Sequence, residues 1–220
     1  AMSDTTVKKH TTFSQAIVEY FAGFAVLRET RAEYWGIQLV NLLDCTIYFA
    51  LLTIAAVFLS EDLGFSDTHA GYIVTLFTSA TTLFLMISGM ITDWLGIKRS
   101  LLVALVGLIL LRVVVAVVGL TPDVPMRGTI VAGALFFMAP FMAMIQTVFQ
   151  AANKRFTTKR SRSAGFTLWY LFMNIGATLA GFSVDIVRLN LKLSNAHIFT
   201  MGAGLGILAL LVALILVRNE

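Results

Sequence analysis

The chain has 220 residues, of which 58% are hydrophobic and only 13% charged, with a mean hydropathy of +0.87. Soluble domains run nearer half apolar and a quarter charged, so this composition excludes a water-soluble globule and calls for a bilayer. The net charge of +4 comes from cations gathered where apolar runs end, without a basic stripe interleaved with aromatics, so it points to lipid headgroups and away from nucleic acid.

Ahead of the first apolar run, Phe13, Ile17, Tyr20, Phe21, Phe24 and Leu27 recur at helical spacing, with Ser14, Gln15 and Glu19 elsewhere on the wheel. Residues 1–33 therefore read as a cytoplasmic amino-terminal segment whose amphipathic helix lies on the inner leaflet or packs beneath the bundle. Crossing about 30 Å of hydrocarbon takes about 20 apolar residues in a helix. Six stretches qualify, at 35–60, 69–92, 101–120, 128–150, 164–187 and 198–217, and they make residues 34–220 one all-helical membrane domain. Short loops make neighbouring spans antiparallel.

Twelve cations outside the spans fall on one side: Lys8, Lys9, Arg28 and Arg31 before the first span, Lys98 and Arg99 after the second, Lys154, Arg155, Lys159, Arg160 and Arg162 after the fourth, and Arg218. The other side holds Arg127, Arg188 and Lys192, together with Glu61, Asp62 and Asp67. The positive-inside rule then expects both termini in the cytoplasm.

Polar groups within the spans are costly in hydrocarbon and are the candidates for function. In the first span Gln38, Asn41, Asp44, Cys45 and Tyr48 fall at three- and four-residue steps; in the fifth, Thr167, Tyr170, Asn174, Thr178 and Asp185 do the same. The fourth adds Gln146 and Gln150, one turn apart, and Pro140, whose missing N–H loosens the helix. At about 1.5 Å per residue, Asp44, Asn174 and Arg112 all lie near the midplane. An Asp44–Arg112 pair is one expectation, and an Arg112 that snorkels to headgroups is the other. The candidate substrate- or proton-binding set is Asn41, Asp44, Tyr48, Arg112, Gln146, Tyr170 and Asn174, with Asp44 the group that takes up a proton or meets a substrate cation.

Tyr72, Thr75, Ser79 and Thr82 in the second span, and Gly176, Ala177, Ala180 and Gly181 in the fifth, read as surfaces for close helix packing. The nine methionines read as lipid-facing or core filler. Cys45 is the single cysteine, and His10, His69 and His197 are scattered, so neither a disulfide nor a metal site is expected. With no nucleophile beside a base and no phosphate-cradling glycine loop, the chain is expected to be no enzyme and to use no cofactor.

Between the second and third spans stands "GMITDWLGIKRS", residues 89–100. Gly96 suits a tight turn, Asp93 sits where the chain leaves the membrane, and Lys98 with Arg99 can anchor to inner headgroups. Opposed charges at such a junction form a latch that holds one conformation and releases it. The stretch resembles the loop of the major facilitator superfamily, G-x-x-x-D-R/K-x-G-x-R/K-R/K, at Gly89, Asp93, Gly96, Lys98 and Arg99, with Trp94 in place of a cation. A second likeness, "RSAGFTLWYLFMNIGATLAG" at 162–181, resembles the fifth span of the proton-coupled oligopeptide transporter branch through Phe166, Tyr170, Asn174 and Gly176. That branch's span-one E-x-x-E-R motif has no counterpart here, and Ala139 precedes Pro140 where the branch has lysine.

The resemblance implies an all-α membrane protein whose six transmembrane helices form two inverted three-helix repeats, the amino-terminal half of a major facilitator fold. It implies a cavity lined by spans one, two, four and five and completed by a carboxy-terminal half or a second copy, with Asp93 engaging a helix of that other half. The expected function is movement of a small solute by alternating access, coupled to protons, in a bacterial inner membrane. The competing class is a six-helix membrane scaffold or regulatory partner, for which monomeric protein without solute exchange would be diagnostic.

Overall fold

The structure, a computed structural model, describes residues 23–218. Phe13, Ile17, Tyr20 and Phe21 of the expected amphipathic helix lie outside the described residues. Its described end, Phe24–Glu29, is a 3-10 turn whose Leu27 is buried, with Glu29 Oε1 3.9 Å from Arg160 Nη1.

Six helices follow: α1 (Ala32–Val57), α2 (Asp67–Leu95), α3 (Ile97–Leu120), α4 (Arg127–Phe156), α5 (Arg162–Asp185) and α6 (Ala196–Leu216). All six are long and apolar enough to cross a membrane. Most outrun the apolar stretches that announce them, because the backbone hydrogen-bond ladder continues into headgroup depth after the side chains turn polar. π-helical turns, Phe58–Asp62 and Ile186–Asn190, extend the carboxy-terminal ends of α1 and α5. Ser66 caps α2 by accepting from the His69 N–H, and Gly96, at φ +81°, makes the one-residue break between α2 and α3.

The packing order follows the repeat. Helix α1 packs on α5 and α6, α4 packs on α2 and α3, and α3 packs on α6. Exchanging the first three helices for the last three maps α1–α5 onto α4–α2 and α1–α6 onto α4–α3, while α3–α6 maps onto itself. Because α1 and α4 run in opposite directions, the two triplets are inverted repeats, and α2 and α5 form the two edges.

Lipid tails are as apolar as leucine, so helix association here rests on close packing and polar stitches, not on removal of side chains from water. Small residues supply the first. A Cβ at Gly176 would sit 2.8 Å from Cys45 Cβ and 3.0 Å from the Leu42 carbonyl oxygen, which puts α5 nearly backbone-to-backbone with α1. Gly107 admits the Phe141 ring, and Gly36 lies against Leu216. Stitches supply the second: Tyr34 OH donates to the Gly165 carbonyl (3.0 Å), Gln38 Nε2 to Asn153 Oδ1 (3.0 Å), and Ser88 shares a 2.6 Å hydrogen bond with Thr147. Among the connecting segments, Asn195 Nδ2 donates to Asp62 Oδ2 at 2.8 Å, and Arg127 donates to the Asp62 carbonyl. Each such bond adds about 0.6–2 kcal/mol in a membrane.

Candidate functional site

Midway along α1, Asn41, Asp44, Cys45 and Tyr48 share one side of the helix and line a cavity of about 250 Å³ between α1, α4 and α5. Gln146 and Gln150 of α4 close another wall, one turn apart. Asn41 Nδ2 donates to the Trp169 carbonyl at 3.3 Å, tying the cavity's α1 wall to α5, while Cys45 Sγ lies 3.4 Å from Asn41 Oδ1.

Behind that wall sits the charge pair. Arg112, 1% exposed, points from α3 toward α1, and its Nη2 lies 3.3 Å from Oδ1 of Asp44, 3% exposed. The expectation of a snorkelling Arg112 is therefore corrected: the guanidinium stays at mid-bundle because Asp44 gives it a counter-charge there. Helix α6 makes the room. Gly206 lies so close that a Cβ on it would be 3.5 Å from Arg112 Nη1, and one on Gly202 would be 3.8 Å from Arg112 Cδ. Arg112 Nε and Nη1 find no protein acceptor among the described residues. Asp44 is thus the one ionisable carboxyl on the cavity lining, steadied by a cation that does not line the cavity itself.

Besides Arg112, two expected residues stand off the lining. Tyr170 and Asn174 are exposed and do not line the cavity; Trp169 and Met173, about a quarter-turn away on α5, do. Asn174 Nδ2 is spent on the Tyr170 carbonyl of its own helix, at 2.8 Å. Met142 and Met173 line the cavity as well, Met142 as a buried member of the core.

Helices α2 and α5 each expose two different stripes. On α2 Thr75, Ser79, Thr82 and Asp93 form one, which the exposed Met86 interrupts, and Leu76, Leu83, Ile87 and Trp94 the other. On α5 the polar stripe is Tyr170, Asn174, Thr178 and Asp185, and the apolar one Leu171, Ile175, Leu179 and Phe182. At about 100° per residue the two stripes of each helix lie roughly a third of a turn apart. The packing role expected for Tyr72, Thr75, Ser79 and Thr82 is not met among the described residues, since all four are exposed. Of the small residues on α5, Gly176 and Ala180 are buried in contacts, whereas a Cβ at Gly181 would meet nothing within 4 Å.

At the opposite end of α2, a Cβ on Gly89 also meets nothing within 4 Å, so no described helix uses that gap. Asp93 is exposed and shares a cavity of about 330 Å³ with Lys154, Arg155 and Arg162, cations from α4 and α5, and not with Lys98 or Arg99. Lys98 Nζ instead reaches the Leu214 carbonyl at 3.5 Å, near the negative end of α6, and Arg99 is exposed. Trp94, where the motif has a cation, is 84% exposed.

Solved structures share this arrangement. A peptide transporter POT in complex with sulfate is similar with a TM-score of 0.70 at 16% identity, covering 84% of this chain and 37% of that one. A mutant of that transporter, also with sulfate, gives 0.68 at 16% identity over 82% of this chain and 37% of that one. A bacterial homologue of the human drug peptide transporters PepT1 and PepT2 gives 0.66 at 18% identity, covering 82% and 41%. The chain spans about two fifths of the length of these structures. No curated protein sequence matches it significantly. The family profile described as Major Facilitator Superfamily matches residues 36–220. With that match over six membrane-crossing helices in two inverted triplets, this integral multi-pass chain belongs to the Major Facilitator Superfamily.

Proposed function

We propose that the chain is one half of a carrier that moves a small solute by alternating access. The observation that supports the reading best is the polar hollow of Asn41, Asp44, Tyr48 and Gln146, flanked by edge helices whose second exposed stripe is polar. Hydrocarbon does not favour exposed polar groups at mid-helix such as Ser79 and the Asn174 amide, so those stripes suit a water-filled space or another protein surface. A second six-helix half, from further polypeptide or another copy, completes the cavity.

In this reading Asp44 exchanges a proton or meets a cationic group of the solute, and Arg112 holds its carboxylate in place from behind. Asn41, Tyr48 and Gln146 orient the solute by hydrogen bonds, and Tyr170 with Asn174 face it from the edge of α5 once the second half is present. The solute crosses as one half rocks against the other. Gly89, Asp93, Gly96, Lys98 and Arg99 form the latch at the cytoplasmic side: Gly96 sets the sharp turn, Lys98 fixes the loop to α6, and Asp93 is free to engage the opposing half. Both termini lie in the cytoplasm of a bacterial inner membrane.

Proteoliposomes screened with sugars, peptides and organic ions test the proposal. Uptake that depends on a proton gradient, and loses that dependence in Asp44→Asn, is the expected result. An unchanged gradient dependence in the variant would remove Asp44 from the mechanism. No exchange of any solute, either by the chain assembled with itself or by the chain joined to a second six-helix half, would remove the carrier reading itself.

A further inference from the structure

We propose a second binding site, for a phosphate group, in the cavity of about 330 Å³ at the cation-rich end of the bundle. It lies between the end of α2, the start of α3 and the 4–5 junction, well away from the central hollow, and is lined by Thr92, Asp93, Ile97, Lys154, Arg155 and Arg162. Lys154 and Arg162 against Asp93 give it an excess of positive charge without counting Arg155, and Ile97 and Ala151 give it apolar wall.

Two unused donors distinguish this cavity from an ordinary cluster of positive loop residues. Thr92 is 2% exposed, and its Oγ1 has no hydrogen-bond partner among the described residues. That is unusual in this chain: Thr81, Thr147 and Thr178 each donate to the carbonyl four residues back, which satisfies a helix hydroxyl without outside help. Arg162 is the second case. Its Nη2 donates to the Lys154 carbonyl at 3.2 Å, but its buried Nε finds no acceptor among the described residues. Buried donors are costly to leave unmade, and a tetrahedral oxyanion offers acceptors in several directions at once. An arginine fork with one arm already fixed is preorganised for it, and lysine adds a point charge.

The ligand chemistry is thus a phosphate monoester or diester anion, whether free in the cytoplasm or carried by an anionic lipid of the adjoining leaflet. A phosphate bound to Lys154 and Arg162 would also occupy cations that share the cavity with Asp93. The site stands independently of whether the central hollow carries solute.

The test uses the purified chain in detergent, titrated with short-chain phosphatidylglycerol, inorganic phosphate and short-chain phosphatidylcholine, with binding read by mass spectrometry and thermal shift. Saturable binding of at least one phosphate-anion probe is expected, weakened about tenfold by Arg162→Gln and several-fold by Thr92→Val, and unaltered by Lys159→Gln on the neighbouring loop. Because the Thr92 hydroxyl has no partner, Thr92→Val is expected to leave the ligand-free melting point unchanged and reduce only the ligand-induced shift. That separates loss of the site from loss of fold. Inorganic phosphate binding with the same variant dependence identifies a soluble ligand, whereas phosphatidylglycerol binding alone identifies the headgroup. Equal binding of phosphatidylcholine, equal sensitivity to Lys159→Gln, or no saturable binding of either anion would overturn the proposal.

Discussion

Removing either member of the Asp44–Arg112 pair should destabilise the bundle, and removing both should restore much of the loss. At the observed 3.3 Å and an effective dielectric of about 20, the attraction amounts to about 5 kcal/mol. Most of it offsets the cost of taking two ions out of water, so the net worth of the pair is small. A single deletion is different, because it leaves one uncompensated charge in the interior at a cost of about 3–5 kcal/mol. The two singles should differ: a lone carboxyl can take up a proton, but a lone guanidinium cannot give one up. Asp44→Leu is therefore expected to be worse than Arg112→Leu. For a chain of this size each kcal/mol shifts the midpoint by about 2–4 °C, so Asp44→Leu should melt roughly 10 °C lower by intrinsic fluorescence in detergent. The double Leu variant should regain at least half of that. A double variant that melts below both singles, or an Asp44→Leu midpoint indistinguishable from the parent, would refute the claim that these groups sustain one another.

Three further outcomes follow from packing. Gly176→Ala drives a methyl into the Leu42 carbonyl and Thr46 amide of α1, at 3.0 and 3.1 Å, and should cost about 1–3 kcal/mol, whereas Gly181→Ala should melt like the parent. Gly96→Ala places a side chain at φ +81° and ψ 162°, a region open almost only to glycine, and should lower the midpoint by an amount equivalent to about 1–3 kcal/mol. In a Cys45→Ala background, Thr75→Cys and Asn174→Cys should react with a water-soluble maleimide in a reconstituted bilayer, and Leu83→Cys and Leu179→Cys should not; equal labelling of all four would dissolve the distinction between the stripes.

The sequence exposed the six spans because a run of about 20 apolar residues has few other uses. It also exposed Asp44 and Arg112, since charge at that depth stands out against leucine and valine. What stayed hidden lies where apolar runs end or where backbone does the work. Asn153 adjoins Lys154 and Arg155 and reads as loop, yet the helix continues through it and Gln38 buries it. The carbonyl of Trp169, which accepts from Asn41, has no signature in side-chain pattern. Tyr170 and Asn174 share the spacing of a cavity face, but periodicity gives only relative angles; the contact of Gly176 with α1 is what sets the absolute rotation of α5 and turns Trp169 and Met173 inward.

That fixed rotation limits how the molecule can move. On α2 and α5 the strip suited to oil and the strip suited to water are so close around the axis that twisting either rod by a third of a revolution would bring threonine and aspartate into fatty acyl chains. Any change of access must therefore tilt the whole six-rod block while each rod keeps its own heading, much as a door swings without its planks turning.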